Sequence, residues 1–367
     1  MRMNASRSLL LKALRHPDIG LSASPVEWDL LLRQARYAGV LARLCLHLQE
    51  RDLLDKLSPK VYEWLKAARV VAEAQERTLR WEVSRLQCVL EPLGIPIILL
   101  KGAAYALASL PPARGRLAAD VDIMVPKARI AETEAALLSH GWEHITLNAY
   151  DQRYYRTWMH ELPPLRHRER QTVVDVHHTI LPQTSRLRPD PQYLWDAAQQ
   201  LPDSPLCVLA PADMVLHCAT HLFQDGEIAG DLRDLTDLDD LLQHFGTQPN
   251  FWENLVHRAS LLHLERPWFY GLRYAVRLFN TPVPADVMSV AHTSAPPPLV
   301  LRLMDTLVLQ ALVSFLPETT SWRSSLACWL LYVRSHALRM PPWLLAGHLF
   351  CKSLRLWTML LQRKHAS

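Results

Sequence analysis

Asp120 and Asp122 stand one residue apart inside an otherwise apolar run, Asp120-Val121-Asp122-Ile123-Met124-Val125. In an extended strand, positions i and i+2 point to the same face, so both carboxylates are delivered to one place while Val121, Ile123 and Val125 anchor the other face. Close like charges repel and are costly within a fold unless a cation neutralises them. A third acid, Asp175, lies in a similar setting, Val173-Val174-Asp175-Val176-His177-His178. If that segment pairs beside 121–125, three carboxylates converge. Hard oxygen ligands with open positions suit Mg²⁺ or Mn²⁺, which bind through a few carboxylates together with substrate phosphates.

The surroundings of this acidic pattern point the same way. The apolar run 95–100 leads directly into Lys101-Gly102 and then the alanine-rich segment 103–110. A strand followed at once by a helix start offers backbone N–H groups to a phosphate, Gly102 puts no side chain in the way, and Lys101 adds positive charge. Arg116, shortly before Asp120, reads as a second phosphate clamp; its duller role is an ion pair with Asp120. His177 and His178 face opposite sides of their strand, so only one shares the surroundings of Asp175, and each reads as a structural histidine. His217 and His221, four apart, share a helix face with Asp225 a turn further on. Without the glutamate of an HExxH pattern they read as packing residues rather than metal ligands. The acids Asp231, Asp234, Asp237, Asp239 and Asp240 read as a solvated helix face that pairs with Arg233.

Positioning these groups requires a strand-and-helix core. The apolar spacing of three and four residues over 25–93 predicts two or three helices, with Ser58-Pro59 as cap and first position of a long one. At Gly94 the period changes to a short continuous apolar run, and from there strands and helices alternate. The helix after Pro126 is expected to end at Gly141, before the strand-like run 142–147. Two further extended segments flank the polar turn 166–171. Beyond Pro191 the pattern is helical again. The expected architecture is α+β: a small mixed sheet with an N-terminal helical segment (1–93), an α/β core (94–200) and a large helical C-terminal region (201–367), joined by the proline-containing connection 201–211.

These three motifs, LLKGAAY from Leu99, Arg116-x-x-x-Asp120-Val-Asp122-Ile-Met-Val and VVDVHH from Val173, together resemble an uncharacterised nucleotidyltransferase family of bacteria, a branch of the DNA polymerase beta-like superfamily. The resemblance covers 94–181 and extends to the histidine- and aspartate-rich stretch 217–242. It departs from the wider superfamily in having Lys101-Gly102 where Gly-Ser is usual, and from the family in having His178 after His177. It implies that Asp120 and Asp122 bind two divalent ions, that Asp175 ligates the ion activating the acceptor, and that Lys101 and Arg116 clamp the phosphates of a nucleoside triphosphate. The acceptor would be a hydroxyl of a protein, a small molecule or an RNA end. The competing reading is a non-catalytic nucleotide-binding or scaffold protein within a biosynthetic or membrane-surface assembly.

Composition bounds these readings. Hydrophobic residues make up 49% and charged residues 21% of the 367, enough to bury a sizeable core and to exclude a disordered or low-complexity chain. A net charge of +4 does not mark a dedicated nucleic-acid binder. Six scattered cysteines without a CxxC pair argue against a zinc knuckle or a disulfide framework and fit a reducing cytoplasm. The stretch 343–361 is apolar but interrupted by His348, Lys352 and Arg355, so a spanning helix is not expected. Arg323, Arg334, Arg339, Lys352, Arg355, Arg363 and Lys364, set among tryptophans, leave room for peripheral membrane contact, although packing helices with basic solvent faces are the simpler expectation.

Overall fold

A computed structural model describes residues 5–118, 120–145, 149–224, 232–312, 321–341 and 345. Four helices open the chain: α1 (Ala5–Arg15), α2 (Pro25–Tyr37), α3 (Leu41–Gln49) and α4 (Pro59–Leu90). The start of α2 is set locally by a capping box. The Ser24 hydroxyl accepts from the Glu27 amide, and the Glu27 carboxylate accepts from the Ser24 amide at 2.8 Å. The long helix α4 begins at Pro59, as its sequence predicts, and turns a stripe of Val61, Leu65, Ala72, Leu79, Val83, Leu86 and Leu90 toward the core.

The middle of the chain supplies a seven-stranded mixed sheet: β1 (Ile98–Leu99), β2 (Asp120–Met124), β3 (Trp142–His144), β4 (Leu165–His167), β5 (Val173–His177), β6 (Gln199–Gln200) and β7 (Cys207–Val208). The spatial order is β3-β4-β5-β2-β1-β7-β6, with β2–β5 and β1–β7 parallel and the remaining pairs antiparallel. Between the strands lie α5 (Lys101–Leu107), α6 (Ile130–Ser139), α7 (Ala149–Trp158) and α8 (Pro191–Ala197). The glycine expected to end the helix after Pro126 follows α6, with a left-handed φ of +95° at Gly141. The sheet runs into the expected connection at 201–211, because Cys207 and Val208 pair with Ile98 and Leu99.

Helices α9 (Pro211–Gln224), α10 (Leu232–Phe245), α11 (Phe251–Leu261), α12 (Glu265–Phe279), α13 (Ala285–Thr293), α14 (Pro298–Leu312) and α15 (Trp322–Arg339) complete the described chain. The first two pack on each other and on α12, and α10 also packs on the turn Pro111–Ala113 that precedes β2. This is therefore the α+β architecture expected from the sequence, with helices around a small mixed sheet. Among the described residues, no helix is long and apolar enough to cross a membrane. Of the basic C-terminal residues, Arg334 and Arg339 do not lie on a solvent face as expected. Arg334 donates to the Phe223 carbonyl at 2.9 Å and lies over the Tyr270 ring, and Arg339 is buried. Lys352, Arg355, Arg363 and Lys364 lie outside the described residues.

Candidate active site

The central pair of strands carries the acids. Parallel pairing sets Asp120 opposite Val173, Asp122 opposite Asp175, and Met124 opposite His177. Because side chains alternate along each strand, Asp120, Asp122, Asp175 and His177 share one face. Val121, Ile123, Val174 and Val176 occupy the other and are fully buried there. The apolar residues thus fix the register, and the register brings the three predicted carboxylates together.

Each of the three acids has a different environment. Asp120, at the strand's start, is exposed. Asp122 is buried, and burial opposes its charge, yet Lys101 and His177 overcome that penalty and hold the carboxyl well below the usual carboxylate range. Lys101 Nζ and His177 Nε2 lie 3.0 Å and 3.1 Å from its Oδ1. Asp175 moves the opposite way, pushed up to about 7 by burial, by the charge of Asp122 and by Glu161. Its Oδ1 is buried without a hydrogen-bond partner among the described residues. A carboxylate beside another carboxylate, with an orphaned buried oxygen, is a donor set that fits a divalent cation.

This asymmetry gives a pH prediction. A carboxyl whose pKa rises on folding contributes stability that is full below its unfolded value, near 4, and is lost as pH rises through about 7. Without added metal, Asp175→Asn is therefore expected to unfold at higher denaturant than the native chain at pH 8, by up to about 4 kcal/mol, and to match it near pH 4. Denaturation curves at both pH values check this. Equal stability at pH 8 would remove the repulsion between the two acids from the account.

Lys101 reaches Asp122 through an uncommon backbone. It turns the chain from β1 into α5 with a φ of +44°, a left-handed conformation that costs a non-glycine residue energy. The Leu100 amide bonds to the Asp122 carbonyl at 3.0 Å, fixing that turn beside β2. Gly102 follows for a steric reason: a Cβ there would stand 2.5 Å from Nη1 of Arg116. Gly102→Ala is accordingly expected to lower stability by about 1–3 kcal/mol through forced displacement of that guanidinium, measurable by thermal unfolding.

Arg116 is not paired with Asp120. It is buried, with Nε 2.7 Å from Asp237 and Nη2 3.8 Å from Asp234, both on α10. Asp237 also receives Arg43 of α3 at 2.7 Å, and Arg43 reaches Asp240 at 3.2 Å. His221 pairs with Asp234 at 3.2 Å, and Arg233 donates to the Leu117 carbonyl. These contacts overturn the solvated-face expectation for Asp234, Asp237 and Asp239. All three are buried, and Asp239 accepts from the Thr281 hydroxyl at 2.6 Å. The available signal was the spacing: positions 234, 237 and 240 form one helical stripe, and a buried stripe of acids needs buried bases. Asp225 and Asp231 lie outside the described residues.

The histidines divide as strand alternation requires. His177 is buried between Asp122 and Glu161, whose Oε2 lies 3.2 Å from Nδ1. Burial works against its charge, but the bond to Asp122 and the charge of Glu161 raise its pKa. His178 turns away toward Gln183 and is held down at about 4 by burial, Lys127 and His177. Burial, then Lys101 and His221, keep His217 neutral. Glu161 and His160 are the neighbours of the site that the sequence reading missed, since they precede a strand rather than lying within one.

The site is thus a small mixed sheet that aligns carboxylates from adjacent strands on one face beside a lysine. The chain belongs to the uncharacterised nucleotidyltransferase family, whose model matches residues 24–280. That match is wider than the segment carrying the motifs and takes in α2 through α12, so the helices holding Arg43 and Asp237 are part of the family unit. No curated protein and no solved structure matches the chain significantly.

Proposed function

We propose that this chain is a metal-dependent nucleotidyltransferase that moves a nucleotidyl group from a nucleoside triphosphate to an acceptor hydroxyl and releases pyrophosphate. The observation that carries the proposal is the register of Asp122 against Asp175, with Asp120 on the same face. Asp120, Asp122 and Asp175 are the residues that would hold Mg²⁺ or Mn²⁺. Bound there, the metal supplies Lewis-acid polarisation of the triphosphate and lowers the pKa of an attacking hydroxyl.

The chain's own groups divide the remaining work. Lys101, whose Nζ lies 3.0 Å from Asp122, would stand beside a metal held by the acids and be available to phosphate oxygens. Gly102 lets Arg116 pass behind the turn. Arg116, already engaged by Asp237, orients the segment entering β2 rather than gripping phosphate. The apolar face of β2 and β5 excludes water from beneath the acids.

The test is incubation of the full chain with nucleoside triphosphates labelled at the α-phosphate, Mg²⁺ or Mn²⁺, and protein, small-molecule or RNA acceptors. Transfer of label with release of pyrophosphate is expected, and Asp120→Asn should abolish both. Absence of nucleotide binding by the native chain with either metal would end this reading.

A further inference from the structure

Beside the carboxylates lies a second constellation that nucleotidyl transfer does not require. Residues 160–162 run antiparallel to the end of β5, bridging Glu161 to His177. The Leu162 amide donates to the Val176 carbonyl and the His178 amide to the His160 carbonyl, each at 2.9 Å. This pairing brings one ligand atom each from His160, Glu161 and His177 to within 4.8 Å of one another. The rings of His160 and His177 have their centroids 5.2 Å apart.

The protonation of His177 follows from its neighbours. Asp122, ionised beside Lys101, can only accept, so Nε2 at 3.1 Å carries the proton it donates. The opposite nitrogen, Nδ1, is buried, makes no hydrogen bond among the described residues and faces the Glu161 carboxylate at 3.2 Å. Nδ1 and the carboxylate converge on one point, which either a proton or a metal cation bound between them can occupy. A histidine that donates one ring N–H to a carboxylate while aiming its other nitrogen at a ligand cluster has the supporting geometry of metal-binding histidines, in which the carboxylate fixes tautomer and ring orientation.

We propose that His160, Glu161 and His177 bind a borderline divalent cation of the Zn²⁺ or Co²⁺ kind, leaving a fourth position open, with Asp122 orienting His177 toward it. Two imidazoles and one carboxylate select such a cation, whereas the all-oxygen set of Asp120, Asp122 and Asp175 selects Mg²⁺ or Mn²⁺. The two centres meet at Asp122, which serves one as a ligand and the other through His177. This inference stands on its own geometry and does not rest on nucleotidyl transfer.

The test is titration of chelator-stripped full chain with Co²⁺ in excess Mg²⁺, read by visible absorption. A single equivalent with the intense bands of low-coordinate cobalt, displaced by Zn²⁺, is expected. His160→Gln and Glu161→Gln should each abolish the bands, Asp175→Asn should keep them, and Asp122→Asn should weaken Co²⁺ binding by roughly 10- to 100-fold. Circular dichroism reports whether each variant is folded. If His160→Gln is not, Glu161→Gln at its less buried position decides. No bands in the native chain, or bands that survive His160→Gln and vanish in Asp175→Asn, would overturn the proposal.

Discussion

Asp122→Asn is expected to lower pyrophosphate release by about 1,000-fold or more while leaving the chain folded. Asn keeps the shape of the side chain and can still accept from Lys101 and His177 at Oδ1, so the contacts that hold β1, β2 and β5 together survive. What disappears is the negative charge at the strand position directly opposite Asp175. A catalytic metal contributes several kcal/mol to the transition state, and each 1.4 kcal/mol is about tenfold in rate, which sets the expected size. Steady-state turnover with saturating nucleotide, together with a thermal melt, checks both halves. Residual activity within about tenfold of the native chain would remove Asp122 from the chemistry.

The second large effect is on stability and lies away from the acids. Asp237→Ala is expected to destabilise the chain by about 3–5 kcal/mol, because it strips the closest partner from two buried guanidiniums, those of Arg43 and Arg116. Arg43 keeps Asp240 and the Pro112 carbonyl, but Arg116 keeps the more distant Asp234 at 3.8 Å and the Tyr105 ring. The exposed pair Arg33–Asp29 provides the contrast: Asp29→Ala should change stability by no more than about 1 kcal/mol, since solvent already screens it. Denaturant titration of the two variants distinguishes them, and equal losses would refute the claim that the α10 acids are a buried clamp. Lower activity in Asp237→Ala, measured where it remains folded, would trace the clamp's influence to the segment that delivers β2.

How much of this was legible in the sequence differs residue by residue. Alternation was enough to put Asp120 and Asp122 on one face of their strand and Asp175 opposite the apolar face of its own. That all three share a face follows from the pairing of β2 with β5, which the sequence reading could only suppose. Lys101 was recognised as a nearby positive charge, but its bond to Asp122 depends on a left-handed turn that no local propensity announces for lysine. Arg116 was read as free for phosphate, while its partner lies 121 positions further on in α10. The acids of that helix were read as solvated because charge normally seeks water, and only the arrival of Arg43 and Arg116 reverses that preference.

The amino-acid sequence by itself determined the α+β plan, the long capped helix α4 and a carboxylate face on β2 and β5. Those features follow from short-range periodicity and hold wherever the strands end up. Tertiary structure alone decided that Asp122 meets Asp175 directly, that Lys101 and His177 grip the same oxygen, that Glu161 stands behind His177, and that α3 and α10 lock the approach to β2. Each of these joins groups distant along the chain, and their encounter depends on strand order and helix docking, which the burial of many weak contacts selects jointly and no single motif encodes.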